Sequence, residues 1–233
     1  DHFVAEWYVK FEQEYQQEFQ AWLAKEKIDL PFLPDREQDE TEARFRKVST
    51  LMAAAQELLR RWEAGDSAVR SRWEQMNTWA YAGWQQTYDT LGFDFDKQYY
   101  ESKIYQQGKK IVENALADGV FTKAENGAVV VPLSKATNLP DIIALRGDGT
   151  SVYITQDLYL ANKRFDDFRY DRMLYVVGSE QDVYFQQLVA ALKLLKFPAA
   201  DRLFHVSYGY VSLPEGRMKS REGTVVDADD LLV

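Results

Sequence analysis

Met173-Leu-Tyr-Val-Val-Gly178, a polar turn, an amphipathic stretch over residues 180–195 and then Leu203-Phe-His-Val206 decide the fold. Two short apolar runs joined by a segment of helix length predict a strand, a crossover helix and a second, parallel strand. Runs this apolar belong in a parallel sheet rather than in an alternating, half-solvated hairpin. Only one complete β–α–β unit is visible, so the expectation is an α/β fold containing half of a doubly wound parallel sheet.

Upstream of that unit the pattern is mixed. Residues 104–118 read as a helix. Short β runs follow at 119–122 and 128–131 around Asn126-Gly127, and at 142–145 and 151–154 around Gly147-Asp-Gly-Thr150, both hairpin signals. The first 92 residues read as helices alone. Phe3, Trp7, Phe11, Tyr15, Phe19 and Leu23 recur every four residues, predicting one apolar stripe on an amphipathic helix that Pro31 and Pro34 bring to an end. A second helix is expected over about 41–64, stopped by Gly65. A third starts at an Asp66 cap and carries Val69, Trp73, Met76, Ala80, Trp84, Thr87 and Leu91 on one side as far as Gly92. The organisation expected is a helical segment over 1–92, then hairpins and the half sheet over 93–233.

Composition removes several function classes. With no cysteine there is no disulfide scaffold, zinc ribbon or thiol nucleophile, and His2 and His205 alone cannot build a histidine-rich metal site. A net charge of −9 argues against holding nucleic acid by bulk electrostatics. The excess lies at the front, where residues 1–97 hold 19 of the 37 acids but only 12 of the 28 bases. No apolar run reaches the length of a membrane helix and no signal segment opens the chain, so no membrane partner and a cytoplasmic location are expected.

Four motifs can carry chemistry. Gly178-Ser-Glu-Gln-Asp182 sits where a strand gives way to a helix, the place where open α/β sheets bind ligands. Spacing alone favours an ordinary strand-to-helix turn with Ser179 as its cap. Gly216-Arg-Met-Lys-Ser-Arg-Glu-Gly223 is a basic loop between glycines in an acidic protein, suited to closing over a polyphosphate but also to being a solvated turn. Asp157, four residues after Tyr153, can pair with a cationic ligand or cap a helix over 158–164, and spacing alone favours the cap. Glu101 in Tyr99-Tyr-Glu-Ser102 precedes a helix and invites the same reading. Neither the glycine fingerprint of dinucleotide folds nor a P-loop occurs.

The order of these blocks resembles the catalytic region of class I arginyl-tRNA synthetases. The resemblance runs through Trp79-Ala-Tyr-Ala-Gly-Trp84, Phe95-Asp-Lys-Gln-Tyr-Tyr-Glu-Ser102, Asp148-Gly-Thr-Ser-Val-Tyr-Ile-Thr-Gln-Asp157, Tyr175-Val-Val-Gly-Ser-Glu-Gln181 and Arg217-Met-Lys-Ser-Arg-Glu-Gly-Thr224. The opening Asp1-His-Phe-Val-Ala-Glu-Trp-Tyr-Val9 also looks like the family; residues 10–65 are the least specific. The resemblance implies a helical insertion followed by the second half of a Rossmann-like sheet. It implies an enzyme that uses ATP, with its Mg2+, to activate L-arginine and then charges tRNA(Arg). Glu101, Tyr153, Asp157 and Gln181 fall on positions that hold arginine in the family, which suits a guanidinium that presents five donors. Arg217, Met218, Lys219, Ser220 and Arg221 fall on the family's ATP-binding signature loop, with Lys219 and Arg221 as its catalytic cations. The loop departs from the usual KMSKS pattern, because Lys219 stands in the serine place and Arg221 in that of the second lysine. A His-x-Gly-His signature is absent. The resemblance therefore implies an internal piece of the enzyme, expected to be inactive alone. The alternatives are a non-enzymatic module derived from a synthetase, or a class I synthetase for another amino acid.

Overall fold

In the computed structural model, which describes residues 1–209 together with 212–213, 216–217, 226, 229 and 232, the first ninety-five residues form four α-helices. These are α1 (His2–Glu26), α2 (Asp35–Val48), α3 (Thr50–Glu63) and α4 (Ser67–Leu91). With Ser212–Val233 they make one compact unit; Asp96–Val211 make a second.

The six-membered stripe of α1 does not bury as one face. Phe19 and Leu23 are buried against Phe45 of α2, whereas Phe3 and Trp7 are more than half exposed and Phe3 meets the Trp79 ring of α4 at 5.5 Å. The reason is geometric. A four-residue step overshoots the 3.6-residue turn by about 40°, so five steps carry the stripe through roughly 200°. Its two ends therefore face different helices. The single helix expected over 41–64 is two helices, beginning at Asp35 and broken at Ser49, whose backbone is extended (ψ 129°). Ser49 Oγ caps α3 by accepting from Met52 N–H at 3.1 Å. Glu18 of α1 accepts from the Ser49 hydroxyl at 2.6 Å and from the Thr50 amide and hydroxyl, each at 2.7 Å. These bonds hold the Glu18 carboxyl down at about 2. Asp66 caps α4 through Ala68 and Val69 N–H, as the sequence predicts, and Gly92 ends it, although no residue of α4 is buried.

The second unit opens with α5 (Tyr105–Ala117) and an antiparallel sheet of β1 (Thr122–Lys123), β2 (Val129–Val131) and β3 (Ile142–Leu145). Gly127, at φ 85°, supplies the left-handed turn residue between β1 and β2. The strand expected over 151–154 is a single bridge, Leu145 to Ser151, because Tyr153 already begins α6 (Tyr153–Phe168). Then β4 (Met173–Gly178), α7 (Asp182–Leu194) and β5 (Leu203–Tyr208) form the predicted β–α–β unit, with β4 and β5 parallel over six register pairs from Met173–Leu203 to Gly178–Tyr208. Side chains buried in the core, Val112, Leu133, Ile154, Leu158, Leu188 and Leu192 among them, pack the three helices against both sheets. The other face of β4 and β5 is open: Leu174, Val176, Phe204 and Val206 are each 44–67% exposed. In the first unit a short antiparallel pair, β6 (Ser212–Leu213) and β7 (Gly216–Arg217), completes the described strands. No helix of the described residues is long and apolar enough to cross a membrane.

Candidate functional site

The start of α6 is fixed from two directions by one hydroxyl. Thr155 Oγ1 accepts from Val152 N–H at 2.9 Å, closing the first turn, and donates to the Ala144 carbonyl at the end of β3. Ile154, Thr155, Leu158 and Ala161 then face the core. Asp157 lies inside the helix, so it does not cap a helix at 158, and the capping explanation for this acid falls away. Tyr153, one turn earlier on the same face, is 78% exposed.

The Asp157 carboxylate is half-buried and accepts the hydroxyl hydrogen of Tyr184 from the first turn of α7. Burial pushes its carboxyl above its ordinary value, while the Tyr184 bond and the charge of Arg164 pull the other way. Burial and then the Asp157 charge push the Tyr184 hydroxyl far up, so it stays a donor. Behind them lies Tyr175 of β4, buried, its hydroxyl without a standard hydrogen bond among the described residues and pushed up to about 12 by burial. Arg164 sits 5.6 Å from the Tyr175 ring centroid. An ionised carboxylate offers about four acceptor positions, and Tyr184 occupies one. Asp157 is thus a partly desolvated carboxylate with acceptor capacity beyond the Tyr184 bond.

Glu101 and Gln181 are exposed, and neither they nor Tyr153 make a side-chain hydrogen bond or ion pair among the described residues. Glu101 opens the 3-10 turn Glu101–Lys103 without capping it, which removes the capping explanation there too. Gln181 closes the 3-10 turn Ser179–Gln181 between β4 and α7, where Ser179 makes no cap bond. That turn is bracketed by His205 of β5. Its Nε2 lies 3.0 Å from the Val177 carbonyl and its Nδ1 3.0 Å from Asp182, and its ring stacks on Phe185 at 4.4 Å. The same ring lines a cleft of about 530 Å³ with Tyr175 and Phe185. The structure thus places Tyr153 and Asp157 on one helix face and joins Asp157 to α7, while no direct bond links Glu101 or Gln181 to either.

Of the loop residues, Arg217 falls in β7, and Met218, Lys219, Ser220 and Arg221 lie outside the described residues. Tyr184 and Arg164 did not stand out in the sequence. The only local signal for Tyr184 was its place in the first turn of a helix that follows a strand-end glycine. No group of three His, Asp or Glu that could hold a metal occurs among the described residues.

The profile of the family described as tRNA synthetases class I (R), catalytic domain, matches residues 10–233. The chain belongs to this arginyl-tRNA synthetase family. It is 49% identical over 232 residues to the arginine–tRNA ligase of Parabacteroides distasonis and 48% identical to that of Bacteroides thetaiotaomicron, each alignment covering the whole of this chain and 36% of the relative. The chain therefore spans about a third of the length of these curated relatives. Among solved structures, a putative arginyl-tRNA synthetase from Campylobacter jejuni matches 87% of this chain and 43% of its own, with a TM-score of 0.55 and 14% identity. The arginyl-tRNA synthetase from Plasmodium falciparum matches 70% of this chain and 30% of its own, with a TM-score of 0.57 and 16% identity. At those identities the two structures speak for the fold alone.

Proposed function

We propose that the protein carrying this chain is an arginine–tRNA ligase and that the second unit holds its L-arginine. The observation that carries the reading is Asp157, a carboxylate that burial has partly stripped of water, that Tyr184 orients, and that keeps most of its acceptor capacity. A guanidinium supplies the missing charge and up to two parallel N–H donors, at a site where lysine supplies only a point charge. Glu101 is the second carboxylate for the guanidinium. Tyr153 and Gln181 orient the remainder of the amino acid, Gln181 from the strand-end turn where class I folds present ligands.

In this reading the arginine carboxylate attacks the α-phosphorus of ATP, its P–O bond to the β-phosphate breaks, and pyrophosphate leaves as arginyl-adenylate forms. The terminal ribose hydroxyl of tRNA(Arg) then attacks the activated carbonyl and AMP departs. Lys219 and Arg221, with Arg217, Met218 and Ser220 as the frame of their loop, offset negative charge on the phosphates as it shifts toward the leaving group. Mg2+ arrives with the ATP phosphates, in keeping with the preference of that ion for phosphate oxygens and water. The location proposed is the cytoplasm, where charged tRNA is used.

The test is ATP–pyrophosphate exchange by the protein as its gene encodes it, with arginine or lysine and with or without tRNA. The reading requires exchange that depends on arginine and discriminates against lysine by at least about a hundredfold, since lysine leaves desolvated acceptors unpaired. Exchange that is equal for both amino acids, or absent with arginine, refutes it.

A further inference from the structure

The most elaborate side-chain network of the second unit belongs to none of the residues assigned so far. Asp167, in the last turn of α6, takes three donors. Its Oδ2 accepts from the Tyr99 hydroxyl at 2.7 Å and pairs with Lys97 Nζ at 2.6 Å, and its Oδ1 pairs with Lys163 one helical turn earlier. Lys163, then Lys97, then Tyr99 hold its carboxyl well below the usual range, so it is an anion throughout the working pH range. Burial, helped by Asp167, pushes the Tyr99 hydroxyl up to about 12, so it is always a donor. The Tyr99 ring is flanked by Lys97 and by Arg164, each 5.5 Å from its centroid. Arg164 in turn reaches the Tyr175 ring and acts by its charge on Asp157.

The path of the chain gives this network a purpose. Residue 99 is tied to residue 167 at one end of α6. At the other end Gly108 of α5 lies against the Thr155 carbonyl, so closely that an added Cβ would stand 2.2 Å from that oxygen. Residues 99–108 therefore run antiparallel to α6 from its last turn to its first. Glu101 lies between the two anchors, on a segment with no strand pairing, and has no side-chain bond of its own. Asp157 and Asp167 are ten residues apart on one helix, about 15 Å along its axis.

We propose that Asp167 is a positioning residue for recognition of a guanidinium. By tying residues 97–99 to the end of α6, it sets where Glu101 stands relative to Asp157. The inference rests on the reading of Glu101 and Asp157 given above. Without the tie the 96–103 segment keeps only its α5 anchor, and the second carboxylate must be ordered by the substrate at each binding event. The effect falls on arginine binding rather than on the chemical step.

The experiment is a double-mutant cycle in the protein as its gene encodes it, read as arginine KM and kcat in tRNA-dependent exchange, with melting temperature recorded alongside. Asp167→Asn is expected to raise the arginine KM about tenfold while kcat changes less than twofold, and Tyr99→Phe, which removes one hydroxyl and keeps the ring, to raise it about threefold. In a Glu101→Gln background neither substitution should raise the KM further. Full additivity with Glu101→Gln, or a lowered melting temperature with unchanged KM in both variants, overturns the proposal. If Asp167→Asn does not fold, Tyr99→Phe decides alone by the same criteria. If Glu101→Gln leaves the arginine KM unchanged, the reading of Glu101 fails and this proposal with it. If Glu101→Gln raises the KM but Asp167→Asn and Tyr99→Phe do not, the reading of Glu101 stands and Asp167 is structural only.

Discussion

Asp157→Asn separates a binding role from a structural one by the sign of its two effects. The folded protein holds the Asp157 carboxyl above its ordinary value, chiefly through burial. A group whose folded pKa lies above its unfolded one adds stability below the unfolded value and loses it as pH rises through the folded value. Wherever Asp157 is ionised in the folded protein, its charge is therefore a cost to folding. Asparagine is nearly isosteric, carries no charge to desolvate, and its amide oxygen still accepts from Tyr184. The variant should be as stable as the parent at pH 7 or more stable. Arginine affinity should move the other way. A charge-assisted bond is worth about 1.5–3 kcal/mol, so arginine binding should weaken by about ten- to a hundredfold. Urea unfolding at pH 7 and calorimetric titration of L-arginine give both numbers on one sample. A variant that is less stable while binding arginine unchanged would make Asp157 a structural acid and refute the reasoning.

Three further perturbations have defined outcomes. Gly108→Ala drives a methyl into the Thr155 carbonyl and should cost about 1–3 kcal/mol in urea unfolding, because the obstacle is backbone. Glu18→Gln should lower the melting temperature at pH 7 but not at pH 2: a carboxylate held down at about 2 contributes stability above its ordinary 4.5 that is lost as pH falls through 2. Circular dichroism against pH, comparing the two proteins, reads that window directly. Arg221→Ala and Lys219→Ala should lower kcat for arginine activation far more than they raise the KM for ATP, Arg221 the more severely; wild-type turnover in both would make the loop a solvated turn.

The parts of this fold that could be read in advance rest on local rules. Two apolar runs flanking a helix-length segment announced the parallel pair β4 and β5, and Asp66 announced α4, because each signal lies within a few residues of its consequence. The break at Ser49 was hidden for the opposite reason. No glycine or proline marks it, and the acid that completes its bonding, Glu18, lies 31 residues away. The stripe of α1 misled because a strict four-residue repeat looks like one face in the sequence and winds through two in space. At the site, Tyr153 and Asp157 share a helix face that the sequence concealed, because Tyr153 reads there as the end of a strand and Asp157 as a residue ahead of the helix. Tyr184, 27 residues from Asp157, and Asp167, 68 from Tyr99, enter only when separate elements converge. Spacing favoured the cap for Asp157 because the start of α6 was placed too late, after the residue instead of at Tyr153.

The most direct test of the central claim is a crystal structure of the gene-encoded protein with L-arginine bound. The account predicts the guanidinium with two nitrogens within about 2.7–3.0 Å of the Asp157 carboxylate, Glu101 on its other side, and Tyr184 still donating to Asp157. An arginine whose guanidinium faces any other group, with Asp157 bonded to Tyr184 alone, would contradict it.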